Sequence, residues 1–196
     1  MTRALFVIDV QNDFTEGGAL GVDGGAAVAA GVTEYLRANP DAYDVVFASR
    51  DWHHGDDDNG GHFAAEGAEP DYVVTWPRHC VGGEPGADYH PALDTTLVDV
   101  HIRKGQGEPA YSIFEGTTDA GAGFREALDE FDVTDVDVVG IATDYCVRAS
   151  ALDALAAGRR VRVLTDLVAG VAPASSEAAL TELAAAGAEV VTSGGR

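Results

Sequence analysis

Residues 135–158 read DVDVVGIATDYCVRASALDALAAG. The first eight, DVDVVGIA (135–142), are β-branched and apolar and predict a buried strand. The last fifteen, DYCVRASALDALAAG (144–158), carry helix formers and close on Gly158, which predicts a helix. A strand running directly into a helix is the repeating unit of a parallel sheet, because parallel neighbours need a crossover between them.

The rest of the chain repeats this alternation. ALFVIDV (4–10), DVVFASR (44–50) and LVDVHIR (97–103) predict three earlier strands, and VRVLTDL (161–167) and AEVVTS (188–193) two later ones. Helical patterns fall at 24–38, ended by Asn39-Pro40, at 119–131 and at 175–186. Five or six strands joined by helices imply a mostly parallel sheet with helices on both faces. At 196 residues the chain predicts one domain, 1–196. Residues 51–95 break the pattern. They are rich in Gly, Asp, Pro and His, and a loop this long inside a compact domain is usually functional.

Composition narrows the function. There are 33 acidic and 12 basic residues, a formal net charge of −21. This argues against nucleic acid or an anionic membrane as partner, since phosphate binding needs clustered Lys and Arg. A salt-adapted or high-GC source would produce such an acidic surface. No apolar run reaches the roughly 18 residues of a membrane span. The opening MTRALFVIDV runs into a strand pattern with no signal-peptide features. A cytoplasmic protein is therefore expected, with Cys80 and Cys146 as free thiols.

In open parallel sheets, ligands sit beyond the carboxyl ends of the strands. The first strand delivers Asp9 there, the second Asp51, Trp52 and His53, and the third Lys104, the only lysine in the chain. The fourth delivers Thr143, Asp144 and Cys146. Cys146 at a strand-to-helix turn suits a nucleophile, since the positive helix end favours a thiolate; the alternative is a buried structural cysteine. Asp9 reads either as a general base for the thiol or as a loop cap. Lys104 reads either as the cation that favours the thiolate or as a stray surface lysine. In DWHHGDDDNGGHF (51–63) and WPRHCVGG (76–83), Asp51 and His53 are spaced to face one way, and His62 and His79 could join them. Asp and His ligands suit Zn²⁺, Mn²⁺ or Fe²⁺; the alternative is a polar solvated loop. His54, His90 and His101 have no such pattern.

Together these pieces resemble the nicotinamidase branch of the isochorismatase-like cysteine hydrolases. The matching stretches run in order: VIDVQNDF (7–14), SRDWH (49–53), HF (62–63), WPRHCVGG (76–83), Lys104-Gly105, YSIFEG (111–116) and GIATDYCV (140–147). The resemblance implies an α/β three-layer sandwich, with a six-stranded, mostly parallel sheet flanked by helices and a metal-binding loop insertion around 51–95. It implies a catalytic triad of Asp9, Lys104 and Cys146, and metal ligands Asp51, His53 and His79, joined in some members by His62. It implies a cis peptide between Ile141 and Ala142, and an oxyanion hole from the backbone N–H groups of Ala142 and Cys146. One divalent ion is expected, Zn²⁺ foremost, with Mn²⁺ or Fe²⁺ as alternatives.

The activity implied is hydrolysis of nicotinamide to nicotinate and ammonia through a thioester, with Phe14, Trp76 and Tyr111 lining the ring. The expected partner is thus a small amide, for a monomer or a homo-oligomer. Three other readings stand beside it: hydrolysis of an N-carbamoyl or ureido amide on the same fold, a metal-water hydrolase with Cys146 structural, and a non-catalytic binding protein. The chain departs from the family pattern in the Asp/Gly-rich segment between His53 and His62, and in Tyr145, where relatives often carry histidine.

Overall fold

The strands form because β-branched and aromatic residues alternate between two apolar layers. The structure, a computed structural model, describes residues 1–195. In chain order, β1 (Thr2–Ile8), α1 (Gly25–Ala38), β2 (Val45–Asp51) and β3 (Val100–Lys104) lead to the edge strand β4 (Thr117–Thr118). There follow α2 (Phe124–Glu130), β5 (Val133–Ile141), α3 (Arg148–Ala156), β6 (Arg160–Ala169), α4 (Pro173–Ala186) and β7 (Glu189–Val191). The strands hydrogen-bond in the order β4-β3-β2-β1-β5-β6-β7. Every pairing is parallel except β3 with β4.

The sheet is buried on both faces. Phe6, Ile8, Phe47 and Ile102 pack with Phe124 and Leu128 of α2, Ala151 and Ala154 of α3 and Leu183 of α4. On the other face, Leu5, Val7, Val46 and Ala48 meet Val28, Val32 and Leu36, which recur every four residues along α1. Alternate residues of one strand thus feed two cores, which makes three layers. Phe6, Phe47 and Phe124 meet edge to face at 5.1–5.9 Å, adding roughly 0.5–1.5 kcal/mol per pair beyond their burial.

The expected architecture holds, with seven strands in place of six. The extra one, β4, has two residues, too few to leave a periodic pattern. It also shortens the expected 119–131 helix, since the chain turns back after Thr118 before α2 begins at Phe124. The third strand starts at Val100 because Asp94 caps a short turn over Thr95–Leu97, accepting from the Thr96 N–H at 3.1 Å. The helix expected over 144–158 is divided. Residues Thr143–Val147 form one π-helical turn, with the Val147 N–H donating to the Ala142 carbonyl at 3.1 Å. Only then does α3 begin. No helix among the described residues is long and apolar enough to cross a membrane.

Most arginines spend their charge locally. Arg160 and Arg162 on β6 each fork onto an aspartate of β5, Asp135 and Asp137. With 33 acids against 12 bases, that leaves a large excess of unpaired carboxylates. Their mutual repulsion destabilises the compact state and is screened by salt. Raising KCl from about 0.1 M to about 1 M, which shortens the screening length from ~10 Å to ~3 Å, should raise the melting temperature by several degrees. A melting temperature that falls with salt would show instead that the ion pairs dominate.

Candidate active site

Three strand ends converge on one ammonium. Asp51 closes β2 and Lys104 closes β3, paired in register. Asp9 follows β1, with its backbone turned to φ 46°. Lys104 is 1% exposed. Its Nζ lies 2.9 Å from Asp9 Oδ2, donates to Asp51 Oδ1 and to the Ala110 carbonyl at 3.4 Å, and lies 3.8 Å from Cys146 Sγ. The other Asp9 oxygen accepts from the Ser49 hydroxyl at 2.6 Å. The expected Asp9–Lys104–Cys146 group is therefore assembled, and Asp51 joins it.

Burial sets the protonation of this group. Burial works against the Lys104 ammonium, but Asp51 and Asp9 outweigh it and hold Lys104 well above its usual range. Burial likewise opposes the Asp51 carboxylate, yet Lys104, then His53 and His79, hold it well below the carboxylate range. Asp9 goes the other way. Burial raises it more than Lys104 lowers it, and the neighbouring Asp51 charge raises it further. Burial also pushes the Cys146 thiol well above its ordinary value; Lys104 pulls it down, while Asp9 and Asp51 push it up. Lys104 thus acts on the thiol in the expected direction, and burial works against it. The π-turn places Cys146 ahead of α3, and two carboxylates accompany the one ammonium, so the thiol is pushed up.

Beside the thiol, His53, His62 and His79 offer nitrogens all within 4.8 Å of one another. His53 Nδ1–H donates to the Gly105 carbonyl and His79 Nδ1–H to the Pro77 carbonyl, each at 2.7 Å. A carbonyl can only accept, so Nδ1 carries a proton in each ring and Nε2 is the nitrogen left to face a ligand. Asp51 Oδ2 faces both, 3.6 Å from His53 Nε2 and 3.8 Å from His79 Nε2. His53 Nε2 and His62 Nδ1 are buried without a hydrogen-bond partner. Burial first, then His53 and His79, depress His62 to about 4, so its ring is neutral near pH 7. Buried imidazole nitrogens without hydrogen-bond partners beside a carboxylate fit a divalent transition metal.

The Asp/Gly-rich segment does not remove His62 from this group. Asn59, Gly60 and Gly61 all have positive φ, and this left-handed run brings the chain back toward the site. Asn59 is buried and pins the loop, accepting from the His54 N–H at 2.8 Å and the Gly107 N–H at 3.2 Å. The Asn-Gly-Gly turn signal could have found it. Gln11 is a second supporting residue outside the expected set. Its amide accepts from the Asp51 N–H at 2.8 Å and donates to the Asp51 carbonyl at 2.9 Å, fixing the Asp51 backbone on both sides. Asp13 likewise accepts from the Cys80 N–H at 2.7 Å, holding the residue after His79. Cys80 itself is fully buried, and burial raises its thiol well above the ordinary value.

These groups open on a cavity of about 420 Å³. Phe14, Trp76 and Tyr111 line it as expected, and Tyr145 joins them. The Trp76 Nε1–H donates to the Tyr111 hydroxyl at 3.1 Å, and Tyr145 meets Trp76 edge-on at 5.3 Å. Cys146, Asp51, His62 and His79 supply the polar wall. Such a cavity, apolar with a few convergent polar groups, suits a small planar ligand. The Ile141–Ala142 peptide at its floor is cis, as the resemblance implies. His54 and His101 lie outside the group, against Asp57 and the Tyr89 hydroxyl.

A parallel sheet with its reactive side chains gathered beyond the strand ends defines an open α/β protein whose site sits at the carboxyl edge. Within that class the chain belongs to the Isochorismatase family, whose domain model, "Isochorismatase domain", matches residues 3–194. It is 48% identical over 191 residues to a nicotinamidase/pyrazinamidase of Mycobacterium tuberculosis, covering 97% of this chain and 99% of that one. The structure of a pyrazinamidase of Pyrococcus horikoshii in complex with zinc superposes with a TM-score of 0.82 at 39% identity, covering 98% and 99%. That of PnC1 from L. infantum in complex with nicotinate gives 0.82 at 34% identity, covering 98% and 93%.

Gly105 has φ 75°, and a β-carbon added there would lie 2.5 Å from His53 Cε1. Gly105→Ala should therefore displace the His53 ring and weaken divalent-metal binding by roughly 10–100-fold, the usual cost of disturbing a ligand's supporting contact. Metal titration of the stripped protein measures this; an unchanged affinity would remove His53 from the metal group.

Proposed function

We propose that the chain is a nicotinamidase, a metal-assisted cysteine hydrolase that converts nicotinamide to nicotinate and ammonia. The observation that carries this reading is the apposition of Asp9, Lys104 and Cys146 to the histidine group across one aromatic-walled cavity. The names of the relatives, and the nicotinate and zinc in the two structures, support the same substrate class and metal. We read residues 1–196 as one hydrolase domain in which 51–95 is the ligand-bearing loop, and the cytoplasm as its compartment.

His53, His79, Asp51 and His62 would hold the ion, zinc in our reading. Bound there, the ion would supply a Lewis acid for the pyridine nitrogen, which would orient the ring. Phe14, Trp76 and Tyr111 confine the ring between apolar faces. Asp9, whose carboxyl is raised by burial, takes the proton from Cys146 as the sulfur attacks the amide carbon. Lys104 stabilises the sulfur anion as it forms. The carbonyl oxygen becomes an oxyanion held by the backbone N–H groups of Ala142 and Cys146; one such donor is typically worth about 3–4 kcal/mol. When the C–N bond breaks, Asp9 returns its proton to the nitrogen and ammonia leaves. Water then attacks the thioester and gives one proton to Asp9; the acid formed leaves and loses its second water-derived proton to solvent, or to the ammonia, as nicotinate. The proton on Asp9 passes back to the sulfur and restores the resting thiol.

Cys146→Ala should lower ammonia release from nicotinamide by roughly 10⁴-fold or more, with metal content and fold retained. Turnover preserved in that variant would refute the nucleophile. Asp51→Ala should weaken metal and substrate binding together, because it removes a ligand and unbalances Lys104; unchanged metal stoichiometry would remove Asp51 from the ligand set. Comparing nicotinamide with N-carbamoyl and ureido amides tests the substrate class. The raised thiol makes a pH prediction. Alkylation of Cys146 by iodoacetamide should be slow near neutrality and climb only above about pH 8.5, the ordinary thiol value. A plateau already reached by pH 7 would mean a resting thiolate.

A further inference from the structure

Asp144 sits in the turn that carries Cys146, and the mechanism above gives it no task. Its carboxylate leaves the turn and reaches the segment joining β6 to α4. One oxygen accepts from the Val171 N–H at 3.0 Å. The other accepts from the Ala172 N–H at 3.3 Å and from the Ser175 hydroxyl at 2.5 Å. α4 begins at Pro173, and Ala172 before it has no side chain able to cap. Asp144 thus does from another element what an N-cap residue does within its own helix, and its charge meets the positive helix end.

The contact is tight and borders the cavity. A β-carbon added at Gly170 would lie 1.9 Å from Ser176 Oγ and 3.1 Å from Thr143 Cβ, so segment and turn are pressed together. Val171, although 56% exposed, lines the cavity, and so does Tyr145, the residue after Asp144. Among the described residues, every side-chain hydrogen bond between turn 143–147 and segment 170–176 is made by Asp144.

We propose that Asp144 is a positioning residue. It locks the turn bearing Cys146 to the Val171 rim and so sets the distance between the sulfur and the apolar wall that confines the ring. The kinetic part of this inference rests on the nicotinamidase reading; the clamp itself does not.

The test is Asp144→Asn, which keeps the shape but turns one acceptor into a donor facing the segment's N–H groups. The matched control is Asp166→Asn. Asp166 makes a similar clamp, accepting from the Ser193 N–H at 2.7 Å and the Ser193 hydroxyl at 2.6 Å, and neither residue lines the cavity. Both variants should melt earlier. Below both melting points, Asp144→Asn alone should lower kcat/KM for nicotinamide by about 10–100-fold, as a misplaced reacting group does, and speed Cys146 alkylation several-fold. Wild-type values for both readouts in folded Asp144→Asn would overturn the proposal. So would equal kinetic losses in Asp166→Asn, which would mark a general effect of stability. Should Asp144→Asn not fold, Ser175→Ala removes one bond of the clamp and should shift both readouts in the same direction by a few-fold; no shift overturns the proposal. If the wild-type enzyme releases no ammonia from nicotinamide, the functional reading fails, and the alkylation rates alone decide the clamp.

Discussion

The site depends on one buried ammonium. Lys104 has lost its water and is held by two carboxylates, Asp9 and Asp51, that come from two different strands. A charge taken out of water costs several kcal/mol unless its partners are well placed, and removing one partner leaves the others uncompensated. The three strands must therefore end at one level. The pairing of Asp51 with Lys104 between β2 and β3, and the parallel run of β1 beside β2, meet that condition. The two apolar layers keep the strands there.

Asp51 joins two chemical halves. One oxygen faces Lys104, and the other faces Nε2 of His53 and of His79. Gly105 repeats the link in the backbone: it follows Lys104, and its carbonyl orients His53. The group carries two carboxylates for one ammonium, and burial makes Asp9 a stronger base than a free carboxylate while it pushes the Cys146 thiol up. A sulfur that stays neutral at rest is protected from oxidation, and ionises only as the proton has somewhere to go.

Much of this was legible from short patterns. Apolar runs alternating with helical ones specify a parallel sheet, and that topology brings Asp9, Lys104 and Cys146 to one edge. What escaped were features without a local signature. β4 is too short to show a period. The π-turn before α3 reads as ordinary helix, because the extra residue per turn alters no side-chain type. The attachment of Asp51 to Lys104 depends on the register of two strands separated by 48 residues of irregular chain. Gln11 and Asn59 act through backbone groups distant in sequence, and polar residues near a turn are common enough to pass unnoticed. Asp144 is hidden for the same reason, since its partners lie beyond a whole strand.

The register of Asp51 against Lys104 also bears on how such a chain can change over time. Side chains on a strand alternate faces, so moving β3 by one position would turn Lys104 to the far side of the sheet and bring Arg103 into its place. A broad planar cation would then meet two carboxylates arranged for a compact one. An insertion or deletion within 100–104 would therefore break the pairing of Lys104 with Asp51. Length can change in the exposed part of the 51–95 loop, where Asp56, Asp57 and Asp58 lie, provided the chain still returns through Asn59 to His62. The strand ends set both spacing and identity, and the loop has only to deliver His62.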